Sequence, residues 1–448
     1  MGHSELKRAL ALSALFVIGI GLGAWLPFDT PAPNSISAPF SDSTPTSEQD
    51  NQITPFPIAL HLEADGSGDY ATLEDAVEYA PPGATITLGA SVYRLAKPLD
   101  IRQSLRLVGD NAEQTKIVSR AKDYVVSVAN IDSFAAEDIT FHHEGSAEAD
   151  VVIVQGGDVT FTRCRFTGAV YVEGEGKKGV GLRIQGNTTG IVQDCVATEN
   201  ATMGILVEEQ ARPTLDRNVC TNNTLVGIAY SNDAGGTARQ NTCSGNLMGI
   251  YADNRAQPTL EENVCTDNEK SGIAYRGNAG GLARQNECSR NGQEGIYVGE
   301  QGHPTLEGNV CANNAEAGIT YWDNAGGVAR QNDCRENRRG IYVDELASPT
   351  LEENVCTGNE NSGITYAGNT SGVARYNECS RNGLAGIYVD EQARPTLENN
   401  VCTDNGSAGI DYRGNAGGIA RQNRCRGSEI GIRIADTAAP TLMGNDCP

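Results

Sequence analysis

The stretch NNVCTDN at residues 399–405 contains a motif, Asn-x-Cys-x-x-Asn, that recurs through the second half of the chain. The motif begins at Asn218, Asn241, Asn263, Asn286, Asn309, Asn332, Asn354, Asn377 and Asn400, at steps of 22 or 23 residues. Glycine followed by Ile or Leu keeps the same step from Gly181 to Gly431. Such a fixed period is typical of a solenoid, in which each repeat stacks on the next.

Each repeat is made of short strand-like pieces. In the unit that begins at Gly386 these are GIYV, PTLEN and NVCT, with turn residues between them. A helical pair needs about 33 residues or more per repeat, and Gly, Asn and Thr are poor helix formers. Three strands and three bends therefore make one turn of a coil, whose parallel strands stack at about 4.8 Å. The sequence predicts an all-β fold with turns of 22–23 residues.

Units of the type PTLENNVCTDNGSAGI (residues 395–410) resemble the right-handed parallel β-helix of the pectin-lyase-like superfamily. The resemblance covers roughly Gly181 to Cys447 and is to its carbohydrate-binding and sugar-hydrolysis repeat domains, as in NosD. It implies a right-handed parallel β-helix. Because the superfamily contains lyases, hydrolases, epimerases and binding scaffolds, it does not fix the function.

The chain divides into four segments. Residues 1–28 hold Lys7 and Arg8 followed by twenty uncharged residues, long enough for an uncleaved signal anchor, with a cleaved signal peptide as the alternative. Residues 29–57 are a Pro/Ser/Thr-rich linker that we expect to be disordered. Residues 58–180 form an N-terminal cap and irregular first turns, and residues 181–448 form the regular repeats. We expect an extracytoplasmic protein anchored in the membrane, or a secreted one.

We expect the two ends of the coil to be closed in different ways. A helix over residues 72–80, with Thr72 as N-cap, presents Leu73, Ala76 and Val77 on one face and caps the first turns. The C-terminal residues APTLMGNDCP stop in mid-turn. An open strand edge invites partners, so we expect end-to-end association or shielding by a few terminal residues.

Two columns follow from aligning the repeats. In one, acidic residues and arginines alternate at every turn, from Asp216 and Arg239 to Glu398 and Arg421. We interpret this column as an ion-pair ladder, with a polyanion-binding row as the alternative. In the other, Leu and Ala alternate from Leu215 to Ala420, as expected for interdigitation in a narrow core.

The thirteen cysteines and their asparagines are interpreted as structural. Buried Cys acts as a small hydrophobe, and stacked Asn side chains hydrogen-bond from turn to turn. We expect nearly all thiols to be free, because parallel side chains are poorly placed for bridging. A single column does not supply tetrahedral ligands for zinc, so neither a metal nor a redox function is predicted. Ser428, which replaces Asn, marks weaker regularity near the end.

The chain shows no recognisable catalytic motif of the superfamily, and no catalytic residue is predicted. His142 and His143, followed by Glu144, are the histidines that merit attention. Acidic pairs such as Asp344/Glu345 and Asp390/Glu391 recur with the repeat. We interpret them as solvated edges, with Ca²⁺ as the one cofactor that such pairs could hold.

Aromatic residues give the candidate binding site. Tyr251, Tyr297, Tyr342 and Tyr388 follow Gly-Ile at every second turn, so they should point outward and form an exposed column. The tyrosines of the other turns, Tyr230, Tyr275, Tyr321, Tyr366 and Tyr412, should point inward or lie at the bend. Trp322 departs from the repeat and is expected to be exposed.

These features predict an extracytoplasmic binding or scaffold protein whose partner is a polysaccharide. The alternatives are a polysaccharide lyase, glycoside hydrolase or epimerase, and a structural or protein-interaction rod. The net charge of −23 argues against nucleic acid as a partner, because no basic stripe is available to neutralise phosphates.

Overall fold

The computed structural model describes residues 58–174 and 179–448. The described chain is an all-β parallel solenoid of three long sheets with one short helix. The predicted anchor and linker, residues 1–57, lie outside the described residues. None of the helical residues in the described ranges belongs to a segment with the length and hydrophobicity of a transmembrane helix.

We name the sheets after the residues that mark their strands. The charge sheet carries the acidic residues and arginines, and its 17 described strands are Ala59–Leu62, Thr85–Leu88, Leu105–Gly109, Ser133–Glu137, Asp158–Thr162, Thr189–Gln193, Thr214–Asp216, Thr237–Arg239, Thr259–Glu261, Leu282–Arg284, Thr305–Glu307, Val328–Arg330, Thr350–Glu352, Val373–Arg375, Thr396–Glu398, Ile419–Arg421 and Thr441–Met443.

The cysteine sheet has 15 described strands, which are Val92–Arg94, Lys116–Ser119, Thr140–His143, Arg165–Thr167, Val196–Thr198, Val219–Thr221, Thr242–Ser244, Val264–Thr266, Glu287–Ser289, Val310–Ala312, Asp333–Arg335, Val355–Thr357, Glu378–Ser380, Val401–Thr403 and Arg424–Arg426.

The tyrosine sheet also has 15 described strands, which are Leu99–Ile101, Asp123–Ala129, Ala149–Gln155, Leu182–Gln185, Met203–Val207, Val226–Tyr230, Met248–Ala252, Ile273–Tyr275, Ile296–Val298, Ala317–Tyr321, Arg339–Val343, Ile364–Tyr366, Ala385–Val389, Ala408–Tyr412 and Ile430–Ile434. Strands of one sheet pair in parallel with the equivalent strands of the turns before and after.

The helix α1 (Leu73–Tyr79) packs against the first turns and confirms the prediction. The Thr72 hydroxyl accepts the backbone N–H of Asp75 at 3.1 Å, which satisfies one of the unpaired donors of the first helical turn. Leu73, Ala76 and Val77 are buried in the same core as the strands. The Gln103 side chain then fastens the end of α1 by donating to the carbonyl of Val77 at 2.9 Å.

The interior is filled by columns of identical or alternating residues. Leu and Ala alternate in register along the charge sheet, as predicted, and both are fully buried. The tyrosines predicted to point inward or lie at the bend do point inward: Tyr230, Tyr275, Tyr321, Tyr366 and Tyr412 are fully buried. Their hydroxyl groups have no hydrogen-bond partner among the described residues, although burying an unpaired hydroxyl costs about 1–3 kcal/mol.

Two asparagine ladders hold neighbouring turns together at the bends. Asn309 shows the pattern: its Nδ2 donates to Asn332 Oδ1 and to the carbonyl of Ala283, both at 2.9 Å. The same Asn332 Oδ1 also accepts the backbone N–H of Asn309. The first ladder begins at Asn218 and the second at Asn200, and both confirm the predicted turn-to-turn bonding. At the end of the second ladder, Ser428 Oγ accepts the backbone N–H of Asn405 at 3.1 Å in place of an amide.

The glycine of each Gly-Ile pair is explained by its closeness to the second ladder. A Cβ atom on Gly295 would lie 2.9 Å from Asn314 Nδ2 and 2.6 Å from the carbonyl oxygen of Gly318. Real Cβ atoms essentially never approach backbone so closely. The glycine therefore repeats because the ladder leaves no space for a side chain.

The last turn holds the exception to the expectation that nearly all thiols are free. Cys425 and Cys447 form a disulfide, because their Cα atoms are brought to 4.4 Å, just within the range that a bridge needs. The other eleven cysteines are free and buried. The expected shielding by terminal residues is present: Pro448 O accepts the N–H of Gly431 at 2.7 Å. Leu442 and Met443 stay 43% and 55% exposed, and end-to-end association remains a prediction.

Candidate functional site

The outer face of the tyrosine sheet carries the predicted tyrosine column. Tyr251, Tyr297, Tyr342 and Tyr388 stand at every second turn, and the register places Ala274, Thr320 and Thr365 between them. These small residues are almost fully buried although they lie outside the core. The face is therefore covered by the larger side chains around them.

The side chains of this column are less exposed than the sequence predicts. Tyr251 is only 7% exposed, so the prediction is wrong for it, and Tyr297, Tyr342, Tyr388 and Trp322 are half-buried instead of free in solvent. The physical reason is the alternation with Ala and Thr, which leaves space along the sheet into which large rings fold. The rings are therefore held in place, and each keeps part of its surface accessible.

Aspartates two positions further on hold the tyrosine hydroxyls. Tyr388 Oη donates to Asp390 Oδ2 at 2.7 Å, and Tyr342 Oη donates in the same way to Asp344. Burial, and then the hydrogen bond to Asp390, raises the pKa of Tyr388 to about 12. The other oxygen of Asp390 accepts the backbone N–H of Glu391 at 2.7 Å, which orients the carboxylate.

Tyr297 has glycine where the other tyrosines have aspartate. A Cβ atom on Gly299 would lie 2.5 Å from Tyr297 Oη, so the ring lies over the glycine backbone. The guanidinium of Arg276 covers this ring at 5.3 Å from its centroid. Tyr297 is thus held by packing and a cation–π contact instead of by a carboxylate.

Trp322 and Tyr342 form the centre of the face. Their ring centroids are 6.0 Å apart at an interplanar angle of 58°. The guanidinium of Arg339 lies over the Tyr342 ring at 4.7 Å, on a strand position that is small in several other turns. We call Trp322, Arg339, Tyr342 and Asp344 the central cluster. The sequence predicts the two aromatic residues of this cluster, but neither Arg339 nor the role of Asp344.

Charged residues border the central cluster on one side. Glu316 Oε2 lies 2.9 Å from Arg338 Nη1 and 3.6 Å from Arg339 Nη1. One turn earlier, Ser271 Oγ donates to Glu294 Oε2 at 2.8 Å. Burial raises the pKa of Glu294. Glu294 and Arg339 occupy the same position as Ala317 and Ala385 do in other turns, so the repeat is interrupted here.

The column ends in an ion cluster beyond Tyr388. Asp411 takes the next position in register and is buried. Its two oxygens lie 2.9 Å from Arg413 Nε and 3.2 Å from Arg433 Nη1. The two guanidinium groups compensate the charge of the buried Asp411 carboxylate. The tyrosine column ends at this residue.

The acidic pairs at the bend have structural partners. The second member of the pair caps the preceding turn: Glu391 Oε2 accepts the N–H of Gly368 at 3.1 Å, and Glu209 Oε2 accepts that of Gly186 at 3.0 Å. Over the described residues, no group of three or more His, Cys, Asp or Glu side chains could hold a metal ion. The Ca²⁺ expectation remains untested.

The remaining candidates lie elsewhere. His142 and His143 belong to a strand of the cysteine sheet. His143 is 2% exposed, its Nε2 lies 3.0 Å from the carbonyl oxygen of Ala121, and burial lowers its pKa. The exposed acid Glu144 pairs with Arg94 at 2.6 Å.

The arginines of the charge sheet form separate ion pairs. Arg330 Nη2 lies 2.9 Å from Glu307, the acid of the preceding turn, and the same direction holds at each of the other arginines. The pairs are Arg239–Asp216, Arg284–Glu261, Arg330–Glu307, Arg375–Glu352 and Arg421–Glu398. The structure thus favours the ion-pair interpretation over a polyanion-binding row, with pairs at every second interface in place of a continuous ladder.

The family model "Right handed beta helix region" matches residues 149–283, 270–383 and 364–447. The chain belongs to the right-handed β-helix family. This confirms the predicted fold. No curated protein matches this β-helix in sequence.

Solved structures similar to this β-helix include three carbohydrate-active enzymes. The A-module of mannuronan C-5 epimerase AlgE6 from Azotobacter vinelandii is 14% identical, with 84% of this chain and 93% of that chain covered and a TM-score of 0.39. The periplasmic alginate epimerase AlgG is 12% identical, with 86% and 82% covered and a TM-score of 0.43. The GH87 α-1,3-glucanase catalytic unit from Streptomyces thermodiastaticus strain HF3-3 is 14% identical, with 83% and 64% covered and a TM-score of 0.36. At these values the likeness assigns no substrate or activity to this chain.

Proposed function

We propose that this β-helix binds an uncharged polysaccharide along the outer face of the tyrosine sheet. The observation that carries the proposal is the central cluster, where the half-buried rings of Trp322 and Tyr342 lie 6.0 Å apart beside an oriented carboxylate. Rings that are already fixed lose little conformational entropy when a ligand packs on them. The cluster thus combines an apolar surface with polar groups at its edge.

The polar groups suit sugar hydroxyls. Asp344 and Asp390 are acceptors for hydroxyl donors, and Arg339 is a donor for ring and hydroxyl oxygens. Hydrogen bonds to charged groups are worth about 1.5–3 kcal/mol. Apolar ring surface beside such groups is the combination by which a binding site orients a ligand that has both apolar faces and hydroxyl edges.

The spacing suits a repeating chain. Tyr342 and Tyr388 are separated by two turns, which is roughly 10 Å at the usual spacing of stacked strands. Both carry the same hydroxyl–aspartate contact. A polymer lying along the coil axis therefore meets equivalent groups at regular intervals, and two weak contacts on one chain reinforce each other.

The charge favours an uncharged ligand. The chain has a net charge of −23, and carboxylates line the bend next to the aromatic row. Like charges repel during encounter, so anionic polymers should bind more weakly than neutral ones of the same length.

Affinity gel electrophoresis against a panel of neutral and uronate polysaccharides tests the proposal. We expect a neutral glycan to retard the protein, and Trp322→Ala and Tyr342→Ala each to weaken binding at least about tenfold, which corresponds to about 1.4 kcal/mol. Tyr376→Ala is the matched control, because Tyr376 is a lone tyrosine, 54% exposed, outside the row. If Trp322→Ala and Tyr342→Ala both bind the glycan as tightly as the unchanged protein does, the proposal is overturned. Turnover of a uronate polymer by the purified protein would support the rival enzyme hypothesis instead.

A further inference from the structure

The cysteine column is a second feature that links neighbouring turns. It comprises Cys220, Cys243, Cys265, Cys288, Cys311, Cys334, Cys356, Cys379, Cys402, Cys425 and Cys447. Cysteines of adjacent turns are direct register partners, as in Cys243 with Cys265 and Cys334 with Cys356. Ala197 holds this position in the turn before Cys220. Cys195 is displaced from the column and lies at the start of the first asparagine ladder, where its N–H donates to Asn218 Oδ1 at 3.0 Å.

Two cysteines stacked in this way can form a disulfide. Cys425 and Cys447, 22 residues apart in adjacent turns, are bonded with their Cα atoms 4.4 Å apart. Stacked strands hold Cα atoms at about 4.8 Å, which also falls within the range that disulfides span. The bonded pair therefore provides the model for the other register partners.

The Cys425–Cys447 bridge also determines which of the other cysteines remain available to pair with each other. A sulfur forms one disulfide, so Cys425 is not available to Cys402, and Cys402 has only Cys379 left. Repeating this step up the column pairs Cys334 with Cys356, Cys288 with Cys311 and Cys243 with Cys265. Cys220 is left unpaired.

The ion pairs of the charge sheet indicate the same alternation independently. Arg421 pairs with Glu398 of the preceding turn, and the Cys425–Cys447 bridge joins the following interface between turns. Arg375 pairs with Glu352, and a Cys379–Cys402 bridge would again join the following interface. With five bridges, the ion pairs of this column and the disulfides would alternate strictly from one interface to the next, from Asp216 to Met443.

We propose that, when the chain folds in the presence of a disulfide oxidant, this column closes as five alternating bridges: Cys243–Cys265, Cys288–Cys311, Cys334–Cys356, Cys379–Cys402 and Cys425–Cys447. Each bridge forms by two exchanges with a small disulfide such as oxidised glutathione. One thiol loses its proton and attacks, releasing one glutathione thiolate and leaving a mixed disulfide. The partner thiolate then displaces the second glutathione, so two protein thiols are oxidised and one glutathione disulfide is reduced to two thiols.

The bridges form before the core is sealed. The thiols of the column from Cys220 to Cys402 are fully buried, and a thiol that the oxidant cannot reach does not take part in exchange. Oxidant added to the folded, reduced protein should therefore leave the column unchanged. The same burial protects bridges that are already in place from reduction.

Peptide mapping of the full chain tests the proposal. The reduced, denatured chain is refolded in a buffer of reduced and oxidised glutathione, alkylated, and digested without reduction for mass spectrometry. We expect the five bridged peptides, with Cys220 alkylated. A Cys425–Cys447 bridge alone, with the rest of the column alkylated, overturns the proposal, and so does the opposite alternation that begins with Cys220–Cys243.

A Cys447→Ser variant tests the alternation separately from the ability to bridge. Because Cys402 is then still paired with Cys379, Cys425 should become an alkylated thiol while the other four bridges persist. A Cys402–Cys425 bridge in this variant contradicts the role of the ion-pair alternation. Circular dichroism shows that the variant has folded, and the map of the unchanged chain decides the proposal if it has not.

Discussion

The interior of the coil and the outer face of the tyrosine sheet obey the repeat to different degrees. Inside, Asn, Cys, Ile and the alternating Leu and Ala keep their positions from turn to turn, and each has a packing or hydrogen-bonding reason to do so. Outside, Trp322, Arg339 and Asp411 stand where other turns have different residues. Regularity in the interior therefore reflects folding, whereas departures from the repeat on the outer face mark the candidate site.

The largest expected effect comes from alkaline pH acting on the interior tyrosines. Burial raises the pKa of Tyr230, Tyr275, Tyr321 and Tyr366 above the value of about 10 for a free tyrosine. Since the unfolded chain loses these protons first, the stabilisation is fully present below about pH 10 and is lost as the pH rises toward the folded-state pKa. For each of these tyrosines, the free energy of unfolding should fall by about 1.4 kcal/mol per pH unit in this range.

Urea unfolding at several pH values above 9 measures this dependence. Tyr275→Phe is the control, because it removes one such group and should flatten the slope by about 1.4 kcal/mol per pH unit. An unchanged slope in this variant would show that Tyr275 ionises in the folded coil.

The next effect is loss of one rung of an asparagine ladder. Asn309→Ala leaves the carbonyl of Ala283 and the amide groups of its ladder neighbours without their partner in a fully buried bend. We expect the free energy of unfolding to fall by about 3 kcal/mol. The exposed Asn324 provides the control, since Asn324→Ala should change stability by less than about 0.5 kcal/mol. Equal effects of the two changes would contradict the importance of the ladder.

A somewhat smaller effect is expected where a glycine touches the ladder. Gly295→Ala places a methyl group 2.9 Å from Asn314 Nδ2 and should destabilise the fold by about 2 kcal/mol. At Gly326 an added Cβ would meet only the carbonyl oxygen of Ser348, at 3.8 Å. Gly326→Ala should therefore be tolerated in thermal denaturation, and a similar loss at both positions would refute the steric explanation.

The smallest effect concerns the ion pairs. Arg330 and Glu307 keep 47% and 32% of their side-chain surface exposed, so water screens their attraction. Glu307→Gln should lower the free energy of unfolding by less than about 0.5 kcal/mol, and added salt should reduce even that difference. A loss above about 1.5 kcal/mol would show that the pair stabilises the coil more than an exposed ion pair does.

Most of the fold could be predicted because its constraints are local and repeated. The step of 22 or 23 residues identified the coil, and Asn-x-Cys identified a ladder beside a buried column. The disulfide was missed because the parallel direction of stacked side chains was expected to prevent bridging, whereas Cys425 and Cys447 are bonded with their Cα atoms 4.4 Å apart.

The candidate site could be predicted only in part. The alternation of side-chain direction along a strand correctly separates inward from outward tyrosines. It does not show that an outward ring packs flat against the sheet when its neighbours in register are Ala274 and Thr320. Exposure depends on those neighbours, which are about 23 residues away in sequence. The aspartates at Asp344 and Asp390 could have been found, since each lies two positions after its tyrosine on the same strand face.

The fluorescence of Trp322 during a glycan titration tests the central claim most directly. The chain has two tryptophans, so a Trp25→Phe variant leaves Trp322 as the only tryptophan, and excitation at a wavelength that tyrosine does not absorb reports its emission alone. A neutral polysaccharide that packs on the central cluster should shift or quench this emission with the same saturation as is measured by gel retardation, and Tyr376→Ala should leave the titration unchanged. Saturable glycan binding without any change in Trp322 emission, or no binding of any neutral glycan, would contradict the account.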